Sequence, residues 1–170
     1  MNIFIMRHGQ SAPEASSDAL RPLTEQGRDE TCLMTQWLVP QVPGFDRVLV
    51  SPYLRAKQTW EQIADKIPAS QVEWCEELTP NADPDIAASL LMAYAEINEA
   101  GNLLVVSHMP LVGFLVESLC PPLMAPIFVT AGIAKITLRP GQGADFNWLE
   151  GPHNIRPHYE HYYQKCRSLG

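Results

Sequence analysis

Met1-Asn-Ile-Phe-Ile-Met-Arg-His-Gly9 is the stretch whose reading decides the fold. Ile3 to Met6 form a continuous apolar run, short enough for a strand buried on both faces of a sheet. A guanidinium, an imidazole and a glycine follow at once, Arg7-His8-Gly9. A strand that delivers polar groups to its carboxyl end fits an open α/β sheet, where that edge carries the ligand. The weight of the motif depends on whether other segments converge on the same place.

Working outward, residues 10–22 are small and polar and read as a loop ending at Arg21-Pro22. Thr24 is the predicted N-cap of a helix carrying Cys32, Leu33, Trp37 and Leu38 on one side and stopping near Pro40. Gly27 in its first turn costs about 1 kcal/mol relative to Ala, which a close approach to a neighbouring loop would explain. Arg47 to Val50 read as a second buried strand, with Ser51 as cap and Pro52 as first residue of the next helix. That helix places Ala56, Thr59, Trp60, Ile63, Ala64 and Ile67 at helical spacing.

A weaker strand is expected at Gln71 to Cys75, then a helix opened by Asp83-Pro84 with Ile86, Leu90, Tyr94 and Ile97 as its apolar face. Gly101 marks its end. Leu103 to Val106 form the clearest strand after the first and run into Ser107-His108-Met109-Pro110. Pro110 opens a fourth helix bearing Leu111, Phe114, Leu115 and Leu119. Pro126 to Val129, Ala134 to Leu138 and Asp145 to Leu149 read as strands, the last two joined by a Pro-Gly-Gln-Gly turn. The expected architecture is a three-layer α/β/α sandwich: a mostly parallel central sheet with an antiparallel edge. Residues 1–151 would form one domain, and the His- and Tyr-rich residues 152–170 a surface tail or short appended helix.

Bulk properties narrow the function. A net charge of −7 speaks against nonspecific binding to nucleic acid or anionic membranes, which reward Lys and Arg. No basic-then-apolar leader with a small-residue cleavage site stands at the N-terminus, and no apolar run approaches the roughly 20 residues of a membrane span. A cytoplasmic protein is expected, with Cys32, Cys75, Cys120 and Cys166 as reduced thiols.

Three predicted strand-to-helix junctions carry the chemistry: Arg7-His8-Gly9, Ser51-Pro-Tyr-Leu-Arg-Ala56 and Ser107-His108. In a parallel sheet all three share the carboxyl edge, close to helix N-termini that favour anions. Arg21 can fold over the same place, and with no acidic cluster near, the pocket reads as strongly cationic and built for a phosphate. A metal held by His8 and His108 is disfavoured, since flanking arginines would repel the ion and no carboxylate or thiolate joins them. His153, His158 and His161 have irregular spacing and read as exposed tail residues.

With Leu23-Thr-Glu-Gln-Gly27 added, these motifs resemble those of the histidine phosphatase superfamily, the phosphoglycerate-mutase-like fold, in order and position from Met1 to about Trp148. Glu77-Leu-Thr-Pro80 and His108-Met-Pro-Leu-Val-Gly-Phe-Leu-Val116 are similar, more narrowly, to the small bacterial phosphohistidine phosphatases. The resemblance implies that His8 is the nucleophile and carries the phosphoryl group as a phosphohistidine. It implies that Arg7, Arg55 and His108 bind the phosphoryl oxygens, with Arg21 as a further anion ligand and no metal or other cofactor. The implied partner is a protein carrying phosphohistidine: a histidine phosphotransfer domain of a sensor kinase in a bacterial phosphorelay, or a phosphotransferase-system protein. Glu76 and Glu77 are the nearby candidates for a general acid. An imidazole leaving group, with its own pKa of about 6.5, barely needs one, whereas an alcohol does. Two other readings stay open: hydrolysis of small phosphate esters on the same fold, and a catalytically silent phosphate-binding module.

Overall fold

Apolar runs and amphipathic stretches alternate along the chain, and in the computed structural model they assemble into one six-stranded sheet. The structure describes residues 1–97, 101–139 and 141–157. In chain order the elements are β1 (Asn2–Arg7), α1 (Glu25–Leu38), β2 (Phe45–Val50), α2 (Leu54–Ala64), β3 (Ala69–Trp74), α3 (Pro84–Ile97), β4 (Asn102–Ser107), α4 (Leu111–Leu119), β5 (Ile133–Arg139) and β6 (Gly143–Glu150). The strand order is β3-β2-β4-β1-β5-β6. The first four of these strands run parallel, and β5 and β6 close the sheet as an antiparallel hairpin on β1. This is the expected mixed sheet with its antiparallel edge.

The two-residue period of β1 divides the core. Ile3 and Ile5 enter the layer beneath α3 and α4, whereas Phe4 and Met6 enter the layer beneath α1 and α2. Leu103 and Val105 of β4 share the first layer, and Leu104 and Val106 the second. Full burial of each such side chain is worth about 1.5–3 kcal/mol, so an unbroken apolar strand is stable only between two helical layers. Parallel pairing sets Arg7 beside Ser107, which brings the residues that follow them side by side at the carboxyl edge.

Several sequence expectations need correction. Pro126 to Val129 form no strand. Both edges of β1 are already taken by β4 and β5, so the segment crosses the strand ends instead. On α3 the buried residues are Ala87, Ala88 and Leu91, while Ile86 and Ile97 are exposed. The helix is turned so that Ala87, Ala88 and Leu91 meet the core, with the expected Leu90 and Tyr94 packed against it at the margin. Phe114 of α4 is likewise partly exposed, Cys32 and Trp37 of α1 are only half-buried, and Ala64 is exposed. Loop 10–22 contains a 3-10 turn at Asp18–Leu20, secured by a bridge between Ser11 and Leu23.

Cys32 is disulfide-bonded, against the expectation of four reduced thiols, while Cys75 and Cys120 are free and buried. Residues 152–157 are helical, His153 is exposed and Ile155 enters the core. The remainder of the expected tail, with His158, His161 and Cys166, lies outside the described residues. Among the described residues no helix is long and apolar enough to cross a membrane.

Candidate active site

The chain leaves β1 at Arg7, and His8 is pinned by its backbone on both sides. Its N–H donates to the Ser107 carbonyl at 3.0 Å, and its carbonyl accepts from the Ala131 N–H at 3.0 Å. The buried imidazole directs Nδ1 to the carbonyl of Gly9 at 2.6 Å. A carbonyl can only accept, so Nδ1 carries the proton and Nε2 keeps its lone pair. Arg55 Nε donates to that Nε2 at 3.2 Å. Burial pushes the His8 pKa down to about 4; the Gly9 bond works the other way, and Arg55, Arg7 and Arg21 lower it further. The ring is therefore neutral near pH 7.

Gly9 is held in turn. Its N–H donates to the Thr59 hydroxyl at 3.0 Å, and that hydroxyl donates to the Arg55 carbonyl at 2.7 Å. A Cβ on Gly9 would fall 2.6 Å from the Gly27 carbonyl oxygen, and one on Gly27 would fall 2.0 Å from that of Gln10. Gly27 thus does permit the close approach that its helix position implied. Thr24 caps α1 as expected, accepting from the Gly27 N–H at 3.0 Å.

Arg55 stands in the first turn of α2 and is buried, its guanidinium 5.0 Å from the centre of the Tyr53 ring. Besides His8 it donates to the Asp18 carbonyl at 2.6 Å and to the Asp18 carboxylate at 3.2 Å. Arg21 donates to that carboxylate at 2.9 Å, to the Ala12 carbonyl at 2.6 Å and to the Ser11 hydroxyl at 3.0 Å. These two arginines hold the Asp18 carboxyl below the usual range, so it is ionised at neutral pH. The pocket is therefore cationic, as expected, but it also holds one carboxylate, Asp18, that the sequence reading had not placed there. Arg7 donates through Nη1 to the Phe128 carbonyl at 2.8 Å, its buried Nε has no hydrogen-bond partner, and burial lowers its pKa.

His108 follows β4 directly and lies with its ring centre 5.0 Å from that of His8. Its Nε2 pairs with the Ser51 hydroxyl at 2.7 Å, while its Nδ1 is buried and unpartnered. Burial first, then the neighbouring His8 and Arg55, push its pKa down to about 2. Ser51 was expected to cap α2. The helix instead starts at Leu54 with Tyr53 at its N-cap and no side-chain cap, and Ser51 faces His108.

Arg7, His8, Arg21, Arg55 and His108 therefore converge. Glu76 and Glu77 are exposed on a 3-10 turn after β3. The Glu77 carboxylate accepts from the Cys75 thiol at 3.1 Å; burial and this carboxylate push the thiol up to about 12. That turn is anchored near the site by Ser107, whose hydroxyl donates to the Leu78 carbonyl at 2.7 Å. Asp18, Thr59 and the Phe128 carbonyl had no role in the sequence reading. Thr59 was within reach of it, four residues after Arg55 on the same helix. Asp18, in an unpatterned loop, carried no signal. A cavity of about 640 Å³ opens at the far end of the sheet beside Met1, Leu138 and Gly143, and none of the five convergent site residues lines it. Among the described residues no three His, Cys, Asp or Glu side chains are grouped to hold a metal ion.

The profile of the histidine phosphatase superfamily (branch 1) matches residues 3–79. The phosphohistidine phosphatase SixA of Escherichia coli (strain K12) is 46% identical over 158 residues, covering 92% of this chain and 97% of that protein. A SixA homolog of Haemophilus influenzae is 36% identical over 147 residues, 80% of this chain and 87% of its own. The solved structure of the protein histidine phosphatase SixA complexed with tungstate superposes with a TM-score of 0.86 at 45% identity, over 91% of this chain and 99% of that one.

Proposed function

The chain belongs to the histidine phosphatase superfamily, and from that premise we propose that it removes phosphoryl groups from histidine side chains of partner proteins through a covalent phosphohistidine on His8. By homology it is a SixA-like phosphatase, a hydrolase. The observation that carries the mechanism is the fixed tautomer of His8: Nδ1–H bound to the Gly9 carbonyl at 2.6 Å, with Nε2 turned to the cationic pocket.

In this reading Nε2 attacks phosphorus as the bond from the substrate nitrogen breaks, and the Arg55 Nε contact yields to the incoming group. Arg7, Arg55 and Arg21 neutralise the equatorial oxygens, which is most of what phosphoryl transfer asks of a protein. At the site, two buried nitrogens without a protein hydrogen-bond partner, Arg7 Nε and His108 Nδ1, fit the same oxygens. The Ser51 hydroxyl, by donating to His108 Nε2, would leave the proton on Nδ1 for that purpose. Water then attacks the phosphohistidine, releasing inorganic phosphate and restoring the neutral imidazole.

Two features favour a phosphohistidine substrate over an alcohol ester. Among the described residues no hydrogen bond or ion pair ties Glu76 or Glu77 to the site's histidines and arginines, so neither is held ready as an acid for an alkoxide. The longest connection between core elements, residues 8–24, holds no helix beyond a single 3-10 turn and so builds no separate lid, which favours a pocket open to a histidine presented on another protein's surface. A histidine phosphotransfer domain in a phosphorelay, met in the cytoplasm, is the partner this reading implies. The test is phosphate release without added metal from a histidine-phosphorylated phosphotransfer domain and, in parallel, from phosphoserine. Rapid release from the first alone is expected. Equal or faster hydrolysis of phosphoserine would move the protein to small esters and make Glu77→Gln the decisive variant.

A further inference from the structure

Asp18 lies outside the groups to which the reaction is assigned above, yet it holds two of them. Its carbonyl and one carboxylate oxygen take Nη1 and Nη2 of Arg55, and the other carboxylate oxygen takes Nη1 of Arg21. Of the five N–H bonds of Arg55, one is engaged with His8 and two with Asp18, which leaves two for an incoming oxyanion. The Arg55 side chain is 5% exposed and that of Asp18 55%. The carboxylate therefore stands at the mouth of the pocket while the two histidines form its floor. In-line displacement at phosphorus sends the leaving group away from His8, toward that mouth.

Resting on the phosphohistidine reading, we infer that Asp18 is a positioning and specificity-determining residue: it fixes Arg55 and Arg21, and its charge favours substrates whose leaving group is a protonated imidazole. An N-phosphorylated imidazole protonated on its other nitrogen carries a positive charge on the ring, beside the negative charge of its phosphoryl group. As the P–N bond breaks, its electron pair returns to the ring and the new bond forms to His8 Nε2. The ring departs as neutral imidazole with the proton it already carried. No enzymic acid is consumed, and an anion at the mouth stabilises the charged substrate. An ester leaves instead as an oxyanion, which an ionised carboxylate repels and to which it has no proton to give.

The test compares kcat/KM for N-phosphoimidazole and p-nitrophenyl phosphate in wild type, Asp18→Asn and Asp18→Ala. The aryl ester is the control because its leaving anion needs no acid. Asn keeps an acceptor for the arginines but not the charge. In Asp18→Asn, turnover of N-phosphoimidazole should fall about tenfold more than that of the ester, the scale of one charge pair in partly wet surroundings. Asp18→Ala should lower both substrates further, a common loss that Asn partly restores. The wild-type preference for N-phosphoimidazole should fade as pH rises past the pKa of its ring, and this dependence should flatten in Asp18→Asn. Equal losses on the two substrates, or no loss, would overturn the inference while leaving the proposed function intact. A wild-type protein that cleaves the ester but not N-phosphoimidazole would overturn both.

Discussion

The two histidines of the site occupy matching positions, each one residue beyond a parallel strand, with Arg7 and Ser107 paired in register just before them. Their surroundings make them different chemical groups. His8 spends Nδ1 on a main-chain carbonyl and turns a lone pair to the pocket, whereas His108 spends Nε2 on a serine hydroxyl and keeps Nδ1 unpartnered. In the proposed mechanism the first attacks and the second, with Ser51 donating to its Nε2, donates from Nδ1. Identical residues on one sheet edge thus acquire distinct roles from the hydrogen bond that each makes on its other side.

The sharpest way to break this comparison is to remove each ring in turn. His8→Ala should cut phosphate release at least about 1,000-fold, the scale for a lost nucleophile, and abolish acid-labile labelling of the protein by phosphohistidine substrate. Circular dichroism should show the fold retained. His108→Ala should cost about 100-fold, as for one lost transition-state donor, and still allow labelling. Equal loss of labelling in the two variants would erase the distinction.

The supports of each ring make a finer test. Thr59→Val removes the hydroxyl that fixes Gly9 and so loosens His8, while Ser51→Ala frees the tautomer of His108. Each removes one buried hydrogen bond, and about a tenfold loss in kcat is expected. Thr59→Val should slow the appearance of the phosphohistidine intermediate, read by rapid quench. Ser51→Ala should also raise KM for phosphate-bearing substrates, because a ring with its proton on Nε2 repels an oxyanion at Nδ1.

The most gradual effect concerns pH. His8 is pushed down to about 4 and His108 to about 2, both from an ordinary 6.5, chiefly by burial. Above pH 6.5 both rings are neutral in the folded and unfolded chains and contribute no pH dependence. Below it the unfolded chain takes up protons that the folded one refuses, so stability falls as pH drops, by at most about 1.4 kcal/mol per unit for each ring. The window closes near pH 4 for His8 and runs on toward pH 2 for His108. Thermal melts should show a Tm that declines below pH 6.5, less steeply in His108→Asn. The acid limb of kcat/KM should lie closer to pH 4 than to 6.5, because His8 remains an unprotonated nucleophile through that range.

Much of this was legible in the sequence because burial leaves a period. The unbroken run Ile3 to Met6 belongs to a strand covered on both faces, and the core shows alternate residues entering opposite layers. The Thr24 cap and the tight packing at Gly27 were also readable, since both follow from local geometry. The reading failed where two helical faces were equally apolar. Ile86 and Ile97 are the more hydrophobic choice on α3, yet the small Ala87 and Ala88 face the core. It failed again at Pro126 to Val129, where composition suits a strand but both edges of the neighbouring β1 are occupied by β4 and β5.

The sequence by itself determined the alternation of strands and helices, and with it the common edge on which His8, Arg55 and His108 must meet. That follows because a parallel sheet places every strand-to-helix junction at one end. Only the tertiary structure decided what each group does there. The contact of Asp18 with Arg55 spans 37 positions of the chain, and that of Ser51 with His108 spans 57. No local pattern encodes such a pairing, because it arises from how separate loops pack over the strand ends. Those pairings hold Arg55 and His108 in place and set the charge at the mouth of the pocket, whereas the His8 tautomer is fixed by its neighbour Gly9.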